Sequence, residues 1–106
     1  MFNRDTLALM KPTAWLINVG RGAVVQDQAL VAALRESRIA GAMLDVYEHY
    51  RLEPGHELLG LQNVILTPHF AGMTRESRAR MGVAAAEGML RMLAGETPRN
   101  LVHADR

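Results

Sequence analysis

The stretch AWLINVGRGAVVQDQALVAALRESRIAGAMLDV, residues 14–46, decides the fold. It begins and ends with short apolar runs, Ala14–Val19 and Gly41–Val46, and neither run alternates apolar and polar residues as a half-exposed strand does. Between them, Gln26–Ser37 carries apolar residues at helical spacing. A strand, a helix and a strand in this order predict a β-α-β unit whose parallel strands are buried on both faces.

The rest of the chain extends this unit in both directions. A third apolar run, Val64–Thr67, follows a Pro- and Gly-containing loop, Arg51–Gln62, in which we expect a short turn of helix. A long helix is predicted to begin after the N-cap Thr74 and to stop at Gly95, and its methionines are interpreted as core filler. Arg4–Met10 is predicted to form one more short helix.

The bulk composition limits the classes of function. The chain has 106 residues, 49% of them hydrophobic, and a net charge of +1, which suits one soluble globular unit and disfavours nucleic acid and anionic membranes as partners. It has no cysteine and no apolar run of about 20 residues, so we expect a cytoplasmic protein that binds a small ligand. No metal site is expected, because the histidines lack the spacing of metal ligands. They are His49, His56, His69 and His103.

Polar residues follow each predicted strand. Residues 18–22 (NVGRG) come after the first strand, Asp45 ends the second, and residues 67–72 (TPHFAG) follow the third. In an open parallel sheet the ligand crevice lies beyond the carboxyl ends of the strands. A guanidinium (Arg21), a carboxylate (Asp45) and an imidazole (His69) are therefore predicted to converge, with glycine-containing turns that let a flat ligand approach the backbone.

Each of these residues also has a structural interpretation. Arg21 is compatible with a solvated or salt-bridged side chain, and His69 with a packed or surface histidine. Asp45 is compatible with a residue that caps or braces the following loop. Sequence periodicity alone leaves both interpretations open.

Four segments of the chain resemble successive signatures of the D-isomer-specific 2-hydroxyacid dehydrogenases. They occur in the family's order and with its spacing: MKPTAWLINVGRGAVV (10–25), GAMLDVYE (41–48), HELLGLQNVILTPHFAGMT (56–74) and GETPRN (95–100). The resemblance implies an α/β fold with a partial Rossmann-like parallel sheet of about three strands and flanking helices. It also implies NAD(P)-dependent hydride transfer between the nicotinamide and a 2-hydroxy or 2-keto acid.

The resemblance assigns roles to individual residues. Arg21 matches the arginine that orients the substrate carboxylate, and His69 matches the acid/base that gives a proton to the substrate oxygen. Asp45 matches the carboxylate that accepts a hydrogen bond from the nicotinamide carboxamide. The residues that match the lining of the nicotinamide end of NAD or NADP are Val19, Gly20, Arg21, Asp45, His69, Phe70, Ala71 and Gly72.

Two departures from the family pattern affect these expectations. Tyr50 stands where the family usually has a glutamate beside the histidine, and a neutral hydroxyl would not stabilise an imidazolium as a carboxylate does. No G-x-G-x-x-G turn is present, so the choice between NAD and NADP cannot be read. Residues 1–106 are therefore interpreted as the C-terminal portion of a nucleotide-binding domain that lacks the substrate domain.

The resulting hypothesis is an oxidoreductase fragment that is inactive alone. We expect a homodimer, with the open edge beside Ala14–Val19 as a pairing surface. The alternative hypothesis is a nucleotide-binding or oligomerisation module that has lost catalysis. Retention of Arg21 and His69 favours the enzyme, and the missing phosphate loop favours the module.

Overall fold

The computed structural model describes residues 1–102, which form two compact units; the first is Met1–Ala71 and the second begins at Gly72. The first unit contains a three-stranded parallel sheet with the strand order β1-β2-β3. Its strands are β1 (Trp15–Asn18), β2 (Gly41–Leu44) and β3 (Val64–Leu66). The predicted α/β class and the parallel β-α-β unit are confirmed, with strands one or two residues shorter than the apolar runs.

Two α-helices accompany the sheet. α1 (Arg4–Ala8) begins at Asn3, whose side chain accepts from the Thr6 amide while the Thr6 hydroxyl accepts from the Asn3 amide. α2 (Asp27–Arg35) connects β1 to β2 as predicted. Short 3₁₀ helices occupy Gly22–Val24 and Glu57–Gly60, and the second of these is the turn of helix expected in the loop before β3.

The core lies on one face of the sheet. Apolar side chains of both helices and the second 3₁₀ helix form one buried cluster with the inward side chains of the strands; its members include Leu7, Leu16, Leu30, Leu34, Ala42, Leu44 and Leu58. On the opposite face Trp15, Ile17 and Ile65 are 49%, 63% and 50% exposed. The prediction that the strands are buried on both faces is therefore wrong for this chain. The helices of the first unit, α1 and α2, cover one face of the sheet, whereas the apolar strand pattern is that of a sheet covered on both faces.

The second unit contains one long helix, α3 (Arg75–Leu93). The Thr74 hydroxyl accepts from the Ser77 amide at 3.1 Å, which confirms the predicted cap, and Gly95, with a φ of 76°, follows the end of the helix. No side chain of α3 is buried, so the interpretation of its methionines as core filler is wrong. No helix within residues 1–102 is both long and apolar enough to cross a membrane.

Candidate active site

A buried asparagine closes the turn after β1. The Asn18 side chain donates from Nδ2 to the Arg21 carbonyl oxygen at 3.0 Å, and its Oδ1 accepts from the Gly20 amide at 3.1 Å. These bonds fold the chain back within three residues and fix the backbone that carries Arg21. Asn18 belongs to the predicted turn, but its role in closing that turn was not predicted. The available signal was an amide residue at the end of an apolar strand.

Gly22 is the point where the turn after β1 meets the turn after β2. A Cβ atom at Gly22 would lie 1.8 Å from the Tyr47 carbonyl oxygen and 2.6 Å from the Glu48 amide nitrogen. No side chain fits into that space, so glycine is required for the two backbones to touch. The contact brings Arg21, the preceding residue, alongside the segment that follows Asp45.

Asp45 anchors the turn after β3. Its carboxylate is buried, and Oδ1 accepts from the Thr67 hydroxyl at 2.5 Å and from the Phe70 amide at 3.1 Å. Oδ2 accepts from the Ala71 amide at 2.9 Å. Asp45 therefore braces a loop, although this loop is the one after β3 and not the one that follows Asp45 itself. A carboxylate has about four acceptor positions, so one remains open.

The backbone of His69 is held in the left-handed region, with a φ of 58°. This conformation is uncommon for residues other than glycine and costs on the order of 1 kcal/mol or more. Asp45 binds Thr67 on one side of the histidine and Phe70 and Ala71 on the other. These three hydrogen bonds offset the strain and fix the direction in which the imidazole leaves the chain.

Asp45 and Tyr47, which lie close together, both have shifted pKa values. The Thr67 hydroxyl holds the pKa of Asp45 below its ordinary value, and the amides of Ala71 and Phe70 and the nearby His69 act in the same direction against burial. Burial raises the pKa of Tyr47, and the Asp45 charge adds to this effect. Tyr47 is therefore a neutral donor, and its hydroxyl donates to the Thr67 carbonyl oxygen at 2.7 Å.

Arg21, Asp45, Tyr50 and His69 line one pocket of about 230 Å³. The Arg21 guanidinium donates to the Gly20 carbonyl oxygen at 2.8 Å and makes no ion pair with any residue in 1–102. A small pocket with an unpaired guanidinium and an imidazole can bind a carboxylate and supply a proton to it or to an adjacent oxygen.

The remaining predicted site residues lie around this pocket and do not line it. Val19 and Phe70 are both about half exposed, at the ends of the turns that follow β1 and β3. Ala71 contributes its amide to Asp45. Gly72 begins the second unit, and a Cβ atom at this position would meet nothing within 4 Å. A Cβ atom at Gly20 would make only an ordinary van der Waals contact.

Three of the four histidines fall within the described residues. His69 lines the pocket, His56 pairs with Asp27, and His49 precedes both of them in the chain. No group of three His, Asp or Glu side chains in residues 1–102 is arranged to hold a metal ion. His103 lies outside the described residues.

The sequence model of one protein family, "D-isomer specific 2-hydroxyacid dehydrogenase, NAD binding domain", matches residues 1–71, two thirds of the chain. The chain belongs to this family. The matched region coincides with the first compact unit, which carries Arg21, Asp45 and His69.

Individual members of the 2-hydroxyacid dehydrogenase family match almost the whole chain. Glyoxylate reductase of Aeropyrum pernix is 49% identical over 105 residues, which are 99% of this chain and 31% of the relative. A solved structure from Thermus thermophilus has a TM-score of 0.83 at 44% identity, and covers 95% of this chain and 32% of its own.

The NADPH-dependent glyoxylate/hydroxypyruvate reductase of Sinorhizobium meliloti, solved with citrate, has a TM-score of 0.80 at 40% identity over 90% of this chain and 30% of its own. These structures confirm the predicted partial Rossmann-like sheet. This chain spans about a third of the length of the relatives that it matches.

Proposed function

We propose that this chain is the nicotinamide-side portion of an NAD(P)-dependent reductase of small 2-keto acids such as glyoxylate and hydroxypyruvate. The observation that carries the proposal is the pocket in which an unpaired Arg21 guanidinium faces the same space as His69. Membership of the dehydrogenase family supports the same reaction class. The small volume of the pocket, about 230 Å³, suits a substrate of a few heavy atoms.

In the proposed reaction Arg21 binds the carboxylate of the keto acid. A guanidinium pairs with a carboxylate through two parallel hydrogen bonds and remains charged at every working pH. The same cation polarises the adjacent carbonyl group. The Asn18 bonds fix the backbone that carries Arg21, and the guanidinium itself is bonded to the Gly20 carbonyl oxygen, so part of the ordering cost of binding is met before substrate arrives.

His69 donates the proton. The protonated imidazolium gives a proton to the carbonyl oxygen as the carbonyl carbon is reduced and is left as neutral imidazole, which can take the proton back in the reverse direction. The reduced nicotinamide, when bound, would supply the hydride. The strained backbone of His69, pinned on both sides by Asp45, restricts the imidazole to the pocket.

We assign the nicotinamide end of NAD or NADP to the rim of this pocket. The open acceptor position of Asp45 suits the carboxamide, and the half-exposed Val19 and Phe70 offer apolar surface to a flat ring. Gly20, Ala71 and Gly72 complete this proposed lining. The sequence contains no G-x-G-x-x-G turn that could hold the pyrophosphate.

The domain assignment is part of the same proposal. Residues 1–106 would form the C-terminal portion of a nucleotide-binding domain, and the phosphate-binding turn and the substrate domain would come from the rest of a protein about three times as long. We place that enzyme in the cytoplasm. We also propose that the isolated chain pairs with a second copy through β1, whose outer edge is open in the described sheet.

A chimera tests the proposal. The chain replaces the matching 105 residues of the Aeropyrum pernix glyoxylate reductase, and reduction of glyoxylate and hydroxypyruvate is followed by loss of NADH or NADPH absorbance. We expect turnover with D-glycerate as the product from hydroxypyruvate. The isolated chain should not turn over and should bind NADH with a Kd that is millimolar or weaker, since a few hydrogen bonds of about 0.5–1.5 kcal/mol each barely offset the association cost of about 4 kcal/mol or more. A folded chimera without turnover would favour a module that has lost catalysis.

A further inference from the structure

A histidine outside the pocket is bonded to a carboxylate in the first turn of α2. His56 Nε2 lies 2.7 Å from Asp27 Oδ2, and both side chains are mostly buried, at 25% and 19% exposure. His56 Nδ1 accepts from the Leu58 amide at 3.3 Å, so the proton of the neutral imidazole is on Nε2 and points to Asp27. The imidazole therefore joins the second 3₁₀ helix to α2.

A second bond reaches the same residue from the other end of the loop. The Asp27 amide donates to Glu48 Oε2 at 2.9 Å, across 21 residues of sequence. This amide is one of those left without a partner at a helix N-terminus, and the adjacent Gln26 side chain does not cap the helix. Glu48 and His56 thus hold both ends of the intervening loop, residues 49–55, on Asp27.

The clamped loop carries Tyr50 to the pocket. Tyr50 has a left-handed backbone, with a φ of 62°, and its amide donates to the Tyr47 carbonyl oxygen at 3.2 Å. Its side chain lines the pocket with Arg21 and His69. Tyr50 is 77% exposed, so packing holds it only weakly. Its strained backbone therefore depends on the two fixed ends of the loop to keep it in place.

We propose that His56 is a positioning residue, which acts through Asp27 to hold Tyr50 against the keto acid bound in this pocket. The inference rests on the proposed function for the identity of the ligand. Tyr50 provides a hydroxyl that hydrogen-bonds the keto acid, and His56 makes no contact with the ligand. Loss of the His56–Asp27 bond should leave the fold and the proton donor in place and weaken substrate binding.

Two substitutions separate the two bonds of His56. In His56→Asn the amide oxygen replaces Nδ1 and can still cap Leu58, but no donor reaches Asp27. In His56→Gln the longer amide places its nitrogen near the position of Nε2 and can still donate to Asp27. His49→Gln is the matched control, because His49 lies in the same loop and makes no hydrogen bond through its side chain within residues 1–102.

Two measurements are made on each variant. In the chimera, His56→Asn should raise KM for glyoxylate about three- to tenfold, the effect of one lost hydrogen bond, with kcat within about twofold. In the isolated chain, hydrogen exchange of the Tyr50 amide should become faster in His56→Asn while the Leu58 amide stays protected. His56→Gln and His49→Gln should match the original chain in both measurements.

The outcomes distinguish this inference from the proposed function. If the chimera with His56 intact does not reduce glyoxylate, the proposed function fails, and the exchange rates still decide whether His56 holds Tyr50. If the chimera is active and His56→Asn matches His56→Gln in KM, the positioning role is wrong. Faster exchange at the Tyr50 amide without a change in KM also overturns it, since the His56–Asp27 bond would then order the loop without contributing to substrate binding.

Discussion

Replacement of Gly22 by alanine should destabilise the first unit by an amount that follows from the backbone contact at that position. The added Cβ atom would lie 1.8 Å from the Tyr47 carbonyl oxygen, whereas real Cβ contacts below 3.0 Å essentially do not occur. The two backbones must therefore separate by about 1.2 Å. Because the contacting atoms of Tyr47 and Glu48 are backbone atoms, a change of side-chain rotamer cannot relieve the clash.

That movement also breaks a hydrogen bond. The Glu48 carboxylate accepts from the Asp27 amide at 2.9 Å, and a shift of more than an ångström takes this pair out of hydrogen-bonding range. A hydrogen bond to a charged group contributes about 1.5–3 kcal/mol, and overpacking of a tight site costs about 1–3 kcal/mol more. Gly22→Ala should therefore lower the free energy of unfolding by about 3 kcal/mol or more, which corresponds to a fall in Tm of about 12–24 °C.

Thermal and urea unfolding followed by circular dichroism measure this loss. Gly20→Ala is the matched control, because it makes the same substitution in the same turn and its Cβ atom would meet only the Asn18 amide oxygen, at an ordinary distance of 3.7 Å. The control should stay within about 0.5 kcal/mol of the original chain. Equal stability of the two variants would refute the close contact between the turns.

Three further predictions concern the pocket. In the chimera, Arg21→Lys should raise KM for glyoxylate and lower kcat, by about 10- to 100-fold in kcat/KM, since a point charge cannot replace a bidentate fork; an unchanged kcat/KM removes Arg21 from the site. Because the pKa of Asp45 is lowered, its ionised form stabilises the turn fully above the ordinary carboxyl pKa of about 3.9, and this stabilisation is lost as pH falls below that value. The protection of the Phe70 and Ala71 amides against hydrogen exchange should therefore be constant from about pH 7 to 5 and decrease below about pH 4. Constant protection down to about pH 2.5 would contradict the role of the Asp45 carboxylate in holding this turn. Tyr50→Glu should extend the reduction activity to higher pH, since a carboxylate favours the charged form of a neighbouring imidazole; an identical pH profile shows that residue 50 does not act on the histidine.

Local sequence signals were sufficient to predict the elements and the residues that converge at the carboxyl edge. The apolar runs placed the three strands, and the Thr74 cap and Gly95 placed the ends of the last helix. Arg21 and His69 could be assigned to one pocket because the residues that follow parallel strands must share an edge.

Long-range contacts were not predictable from the sequence. The two bonds of Asp27, to Glu48 and to His56, join residues up to 29 positions apart, and none of the three belongs to a periodic pattern or a strand end. The bracing role of Asp45 depends on partners more than 20 residues away. An apolar strand pattern also does not tell which segments cover the two faces of the sheet. Ile17 lies on the face opposite the core and is exposed.

The most direct test of the account is the effect of His69→Gln on glyoxylate reduction by the chimera. Glutamine can hydrogen-bond the keto acid but cannot deliver a proton, and general acid catalysis contributes about 10²–10⁴-fold. We predict that kcat falls by about 10²-fold or more, that KM for glyoxylate changes little, and that His49→Gln has no effect. A His69→Gln chimera that retains kcat within about threefold of the parent chimera would contradict the assignment of His69 as the proton donor.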